Sequence, residues 1–139
     1  MNNKPFRILG IEHVGVAIKN RQNLNSIFSD ILGLECLGSE EVLDQNVLTD
    51  IYRLGNSKIE FISSINDNKS IEKFINKRGE GLHHLALIVD NVKNALKYLD
   101  KMGIELIDKE PRIGAEGFSI AFLHPKSTNG ILIELCEKK

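Results

Sequence analysis

An internal repeat divides the sequence into two similar halves and limits the folds that it can adopt. The segment EHVGVAIKN, Glu12–Asn20, aligns residue for residue with HHLALIVDN, His83–Asn91. In this alignment, His84 follows His13 by 71 residues. The stretch Ile8–Ile18, which contains most of the first segment, alternates small or apolar residues with a few polar ones, which is typical of a half-buried β-strand.

A second match lies near the end of each half. KIEFI, residues 58–62, aligns with LIELC, residues 132–136, so that Glu134 follows Glu60 by 74 residues. Two such similar offsets in the same order indicate a duplicated unit. A unit of this length is too long for a solenoid repeat, and we therefore expect two copies that pair their sheets around one shared interior.

Each half is predicted to contain a strand, a helix and three further strands. The first half is predicted to contain strand Ile8–Ile18, helix Asn20–Leu32 and extended segments Leu34–Val42, Leu48–Leu54 and Lys58–Ile65. The second half is predicted to contain strand His83–Val89, helix Asn91–Met102 and extended segments Ile104–Ile107, Ser119–Leu123 and Gly130–Cys136. The polar segment Ile65–Gly81 is predicted to contain a short helix over Ser70–Asn76. These patterns predict an α+β domain, 1–139, made of two tandem βαβββ modules at about 7–65 and 82–137.

Composition and charge exclude several functional classes. The 139 residues are 42% hydrophobic and 27% charged, which is typical of a globular protein and not of a disordered one. The 18 basic and 19 acidic residues nearly cancel, so no strong positive field favours nucleic-acid binding. No apolar run is long enough for a signal peptide or a membrane span. We therefore expect a cytoplasmic protein with no nucleic-acid or membrane partner.

Four titratable residues lie on strand faces that are otherwise small or apolar: His13, Glu60, His84 and Glu134. Burying carboxylates without partners is costly, but two imidazoles and two carboxylates can bind a divalent cation. A single strand histidine is more often a hydrogen-bonded core residue, and a single strand glutamate is more often solvated. Because both residue types recur at equivalent places, we predict a metal site whose mixed nitrogen and oxygen ligands suit transition metals.

The sequence resembles the vicinal oxygen chelate superfamily (glyoxalases, bleomycin-resistance proteins and dioxygenases), and within it most closely the methylmalonyl-CoA epimerase family. The resemblance covers nearly the whole chain, and the segment HPKSTNG followed by ILIEL is its most specific part. The segments that carry it are IEHVGVAIKN, LGNSKIEFI, GEGLHHLALIVDNV, EPRIGAEG and FLHPKSTNGILIELCE. It implies a cupped mixed sheet around one divalent metal per chain (Co, Mn, Ni or Zn), with His13, His84 and Glu134 as ligands and Glu60 as the fourth.

The sequence departs from the family pattern around the catalytic base. The triplet Asp44-Gln45-Asn46 replaces Glu-Gln-Gly, and Thr49 stands where some members carry a base glutamate. Glu116 stands where many members have histidine or a small residue. The general base therefore remains unassigned, with Glu134, Asp44 and Asp50 as candidates.

The resemblance implies a metal-dependent epimerase that removes the C2 proton of methylmalonyl-CoA and returns it to the opposite face. Lys126, Ser127 and Thr128 are candidates for contact with the thioester arm, and a homodimer is expected. Two alternatives remain open, which are a lactoylglutathione lyase of the glyoxalase type and a metal-free small-molecule binding protein of the same fold.

Overall fold

The computed structural model describes residues 3–139. Their contacts separate two compact units. One unit contains residues 13–83, and the other combines the stretch that ends at Glu12 with His84–Lys139. The N-terminal strand thus begins in the unit that contains the second half of the repeat.

The unit of residues 13–83 is built on a mixed sheet. Its elements are β1 (Ile8–Ala17, of which residues 13–17 belong here), a π-helix (Asn25–Ile31), β2 (Cys36–Val42), β3 (Val47–Leu54), β4 (Ser57–Ser64) and α1 (Lys69–Arg78). The strand order is β2-β3-β4-β1, in which β1 runs parallel to β4 and the other neighbours are antiparallel. A two-residue turn at Gly55–Asn56 closes the β3–β4 hairpin, in which Leu54 is paired with Ser57.

The helix of the first half is shorter than predicted and is wound differently. The sequence predicts a helix over Asn20–Leu32, whereas only Asn25–Ile31 is helical. The Asn20 side chain accepts a hydrogen bond from the Gln22 backbone N–H, which favours a turn over a helix at this point. The helix then winds with π-type bonds, of which Leu32 N–H to the Ile27 carbonyl (2.9 Å) is one.

The second unit repeats this plan. Its elements are β5 (Gly81–Val89, which begins in the other unit), α2 (Val92–Lys101), β6 (Arg112–Ile113), β7 (Ser119–Leu123) and β8 (Ile133–Glu137). The strand order is β5-β8-β7-β6, in which β5 runs parallel to β8 and the other neighbours are antiparallel. Asn91 caps α2 by accepting the Asn94 N–H. The apolar face of α2 packs on the sheet, in a core of Phe6, Val89, Val92, Ala95, Leu96, Ala121, Leu123 and Leu135.

The extended segment predicted over Ile104–Ile107 is not a strand. It makes one isolated bridge, between Leu106 and Leu123, and the edge strand of this sheet is instead the short β6. The carboxylate of Asp108 accepts the Phe122 backbone N–H at 2.8 Å, which removes a donor that a regular ladder would need. A side chain therefore interrupts the strand pairing here.

The predicted α+β class is confirmed, since each half has a mixed sheet and the βαβββ order. The short helix predicted over Ser70–Asn76 lies inside α1, where Asn68 caps the helix by accepting the Ile71 N–H. Within residues 3–139, no helix combines the length and the apolar character needed to cross a membrane.

Candidate metal centre

His13 and Glu60 form a buried contact on the parallel strands β1 and β4. Glu60 is paired with Gly15, and His13 lies two residues before Gly15, so both side chains project from the same face. The His13 Nδ1 atom lies 3.1 Å from the Glu60 Oε2 atom. The two side chains are 5% and 4% exposed, so the contact is nearly closed to solvent.

His84 and Glu134 form an equivalent contact on the parallel strands β5 and β8. Glu134 is paired with Ala86, and His84 lies two residues before Ala86. The His84 Nε2 atom lies 3.3 Å from the Glu134 Oε1 atom, and both side chains are buried. The repeat is therefore preserved in the pairing register of the strands, because each glutamate lies opposite a small residue that follows a histidine by two positions.

Within each contact, the spacing of the two side chains suits two ligands of one metal ion. Ligand atoms that lie about 2.0–2.2 Å from one zinc-like ion are about 3 Å from one another. The observed separations of 3.1 and 3.3 Å are close to that value. Burial also favours such a role, because a carboxylate in an apolar environment requires a positive partner. The donor set of each pair therefore fits a divalent transition metal.

Aromatic contacts distinguish the two adjacent histidines. The ring of His84 packs edge-on against Phe122, with centroids 5.6 Å apart, and Phe122 is paired with Glu134 in β7–β8. His83 projects from the opposite face of β5, and its ring packs edge-on against Phe74 at 4.8 Å. His83 and His84 therefore pack against different aromatic residues, on opposite faces of β5.

Asp50, one of the three base candidates, is held in an ion pair. Arg21 donates to its carboxylate from Nε at 2.7 Å and from Nη2 at 2.8 Å, and the hydroxyl of Ser39 donates as well. Burial raises the pKa of Asp50. The hydrogen bonds from Arg21 and Ser39, together with the Arg21 charge, lower the pKa by more than burial raises it, so the pKa lies below its ordinary value. These contacts indicate a structural role.

Asp44 and the proposed thioester-arm residues lie at the surface or in turns. Asp44 is exposed in the 3₁₀ turn Leu43–Gln45. The Lys126 side chain is 76% exposed and forms an ion pair with Glu105 at 3.4 Å. The hydroxyl of Ser127 accepts the Glu105 N–H, and the hydroxyl of Thr128 donates to the Ile131 carbonyl. Ser127 and Thr128 therefore stabilise the turn that presents Lys126.

Glu12 is a buried carboxylate that sequence reasoning did not select. It is 2% exposed, and Lys138 approaches its Oε2 atom with Nζ at 3.1 Å. The only signal in the sequence is its position beside His13. This signal is weak, because strand alternation gives no reason to group the side chains of adjacent residues. The nearby lysine, 126 positions along the chain, is a partner that only the folded structure reveals.

Comparisons with known proteins place the chain in a family. Residues 12–122 match the model of the glyoxalase/bleomycin resistance protein/dioxygenase superfamily. The mitochondrial methylmalonyl-CoA epimerase of Dictyostelium discoideum is 36% identical over 129 residues, which cover 92% of this chain and 78% of that protein.

Solved structures show the same fold. The methylmalonyl-CoA epimerase of Mycobacterium tuberculosis superposes with a TM-score of 0.89 at 28% identity, over 95% of this chain and 89% of that one. A methylmalonyl-CoA epimerase in complex with methylmalonyl-CoA and ammonium superposes with a TM-score of 0.89 at 26% identity, over 95% and 96% of the two chains. The chain therefore belongs to the glyoxalase/bleomycin resistance protein/dioxygenase superfamily and, within it, to the methylmalonyl-CoA epimerases, which are enzymes of the isomerase class.

Proposed function

We propose that the chain epimerises a methylmalonyl-type acyl-CoA thioester by removing the proton at C2 and returning it to the opposite face. The observation that carries the proposal is the duplicated buried contact between a histidine and a glutamate at equivalent strand register. A solved relative of the same fold binds methylmalonyl-CoA, which supports this class of substrate.

We propose further that the two pairs together hold one divalent cation per chain, of the type Co, Mn, Ni or Zn. The four ligands are His13, Glu60, His84 and Glu134. When bound, such a cation supplies Lewis-acid stabilisation of the negative charge that develops on the substrate oxygens, worth several kcal/mol. The donor chemistry and the spacing within each pair support this assignment.

The surroundings of each pair support proton transfer away from bulk water. In the second unit, Phe122 and Cys136 lie on the same sheet face as Glu134, and both are buried. In the first unit, Ile51 is paired with Glu60 and is 5% exposed. Low polarity around a charged group strengthens each electrostatic interaction that the group makes. These apolar side chains would therefore strengthen the attraction between the four proposed ligands and a bound cation.

We propose that Lys126 meets the phosphates of the coenzyme A arm. Its ammonium group is exposed, and its present partner, Glu105, is about half exposed. Exposed ion pairs contribute little to stability, so an incoming phosphate can compete for the lysine at small cost. Ser127 and Thr128 would then act by holding the turn.

We also propose that the protein forms a homodimer and is cytoplasmic. The first half of β1 supports the dimer, because Ile8, Leu9 and Ile11 are each about half exposed. Apolar side chains grouped on a surface strand often mark an interface between proteins. The cytoplasmic location remains a prediction from the sequence.

One comparison of substrates tests the proposed function against its two alternatives. The metal-loaded protein is given methylmalonyl-CoA in one reaction and the hemithioacetal of methylglyoxal and glutathione in the other. We expect epimerisation of the first and no isomerisation of the second. Turnover of the hemithioacetal alone would establish the lyase, and binding of a small molecule with no turnover of either substrate would favour the binding protein.

A further inference from the structure

Arg112 projects from the sheet face that carries the proposed metal ligand Glu134. In β6–β7, Arg112 lies directly opposite Ile120, and in β7–β8 Phe122 lies directly opposite Glu134. Directly paired residues of neighbouring strands share a face, and so do alternate residues of one strand, such as Ile120 and Phe122. Arg112, Phe122 and Glu134 therefore share one face, and all three belong to the unit that contains His84–Lys139.

The packing of the other face of this sheet supports the orientation. The core against α2 contains the intervening residues of β7 and β8, which are Ala121, Leu123 and Leu135. Since successive residues of a strand point to opposite faces, Phe122 points away from α2. Arg112 shares the face of Phe122 and therefore also lies on the side of the sheet opposite to the helix.

The guanidinium group of Arg112 reaches the aromatic ring that packs against His84. Its Cζ atom lies over the Phe122 ring, 5.7 Å from the ring centroid. The His84 ring packs edge-on against the same Phe122 ring, with centroids 5.6 Å apart. Long side chains can contact diagonal neighbours on an adjacent strand, and the distance from Arg112 to Phe122 is such a contact. One aromatic ring thus separates a cationic group from a proposed metal ligand.

Asp108 holds the guanidinium group in this position. Its Oδ2 atom accepts the Phe122 backbone N–H at 2.8 Å, and its Oδ1 atom lies 3.3 Å from the Arg112 Nε atom. The Nε atom is buried, whereas the Arg112 side chain as a whole is 37% exposed. A guanidinium group also carries N–H donors on both Nη atoms. Asp108 therefore orients the group through Nε, while a ligand can still reach the side chain.

The chemistry of the proposed substrate decides which anion this position suits. The planar guanidinium group matches a carboxylate or a phosphate, because it can donate two parallel hydrogen bonds. A methylmalonyl-CoA molecule carries both kinds of anion. Its phosphates are separated from the thioester by the long pantetheine arm, whereas its free carboxylate is bonded to C2. A thioester placed beside His84 and Glu134 therefore presents the carboxylate, and not the phosphates, to a cation that lies one ring away.

We infer that Arg112 binds the free carboxylate of the acyl group and thereby selects malonyl-type thioesters over thioesters of monocarboxylic acids. This inference rests on the proposed function. The Nη groups donate to the two carboxylate oxygens, while Asp108 stays in contact with Nε. Because the side chain is about a third exposed, the incoming carboxylate can exchange with present neighbours at small cost. Arg112 acts in substrate recognition and takes no part in proton transfer.

Binding of methylmalonyl-CoA and of propionyl-CoA, which differ only in the carboxylate, tests the inference. Calorimetric titration of the metal-loaded wild type, with an equilibrated mixture of the methylmalonyl-CoA epimers, should show tighter binding of methylmalonyl-CoA than of propionyl-CoA. Arg112→Met keeps an unbranched side chain over Phe122 and removes the charge. It should weaken binding of methylmalonyl-CoA by about 10–100-fold, the usual contribution of hydrogen bonds to a charged group. Its affinity for propionyl-CoA should equal that of the wild type.

Two further variants make the test decisive. Arg112→Lys keeps the charge but loses the planar fork, so it should show a smaller loss for methylmalonyl-CoA and none for propionyl-CoA. It gives the same comparison if Arg112→Met folds poorly. Arg53→Met is the matched control, because it removes an exposed arginine of the other unit, which pairs with Glu35. It should bind both thioesters as the wild type does, and all variants should retain the wild-type metal content.

Unchanged affinity of both Arg112 variants for methylmalonyl-CoA would overturn the inference. An equal loss of affinity for the two thioesters would also overturn it, because Arg112 would then contact the coenzyme A arm or only support the fold. Either result leaves the proposed function intact. A wild-type protein that interconverts neither epimer of methylmalonyl-CoA would overturn the proposed function itself.

Discussion

Ala86 lies directly opposite Glu134 in the parallel pair β5–β8, in the register in which Gly15 lies opposite Glu60 in β1–β4. Ala86 is fully buried. Since a longer side chain at position 86 would project beside the Glu134 carboxylate, the small residue keeps space for the contact with His84. The small residues at positions 15 and 86 therefore leave space for the side chains of the candidate metal centre.

Ala86→Leu is expected to weaken metal binding while the fold persists. The added methylene groups would displace the Glu134 side chain and cost about 1–3 kcal/mol of stability by overpacking. Metal content per chain and urea unfolding measure the two effects. Leu87→Met, one residue later on the opposite face, is the control and should retain the metal. Full metal occupancy in Ala86→Leu would argue against the importance of this space.

His84→Ala and Glu134→Ala should each lose the bound metal. Each variant removes one of four proposed ligands and leaves its partner in an apolar environment, which makes the remaining set a weaker site. Elemental analysis after dialysis measures the loss. His83→Ala, which removes a ring packed on Phe74, should keep the metal. Full occupancy in both ligand variants would contradict the assignment.

The repeat allowed the candidate metal centre to be predicted from the sequence, because strand alternation has a strict period of two. The phase of His13 along its strand is enough to place it on the same face as Gly15, and the matching segment does the same for His84 and Ala86. Which residue lies opposite Gly15 or Ala86 depends on which strand is the parallel neighbour. The duplication suggests that the same strand is the neighbour in both halves, but it does not specify that strand.

Other features depend on tertiary contacts that no local pattern encodes. Asp50 was a base candidate from the sequence. Arg21, 29 residues earlier, holds it on the face of β3 opposite to the face that carries Glu60 on β4. The predicted strand at Ile104–Ile107 fails because the side chain of Asp108 takes a backbone donor of β7. In both cases a charged side chain binds a distant group, and charged residues in sequence carry little information about such partners.

The ion pair between Arg21 and Asp50 should make stability depend on pH. Because the pKa of Asp50 is lower in the folded protein than in the unfolded chain, its contribution is fully present above the unfolded value. It is lost as the pH falls through the folded value. Asp50→Asn should therefore lower the free energy of unfolding by about 1–3 kcal/mol at pH 7. The loss should be much smaller at acid pH, where Asp50 of the wild type is protonated.

Urea unfolding of the wild type and of Asp50→Asn, at pH 7 and near pH 3, measures this difference. Glu35→Gln breaks the exposed pair with Arg53 and is the control, which should change stability by less than about 1 kcal/mol at either pH. An Asp50→Asn cost that is the same at both values of pH would contradict the ionic origin of the contribution.

The protein should sediment as a homodimer at micromolar concentration. Leu9→Lys combined with Ile11→Lys places two charges on the exposed apolar part of β1 and should shift the protein to monomer. Ile131→Lys changes another half-exposed isoleucine, outside this strand, and should leave the dimer unchanged. A wild-type protein that is monomeric throughout this range would refute the dimer without affecting the metal centre.

Entry of solvent deuterium at C2 of methylmalonyl-CoA tests the central claim most directly. The metal-loaded protein should catalyse this exchange in deuterium oxide, and chelation by EDTA should slow it by roughly 100-fold or more, since several kcal/mol of stabilisation are removed. Restoring Co, Mn, Ni or Zn should restore the rate. Exchange that is equally fast after chelation would contradict a metal-dependent epimerase, and the absence of any exchange by the metal-loaded protein would contradict the epimerase itself.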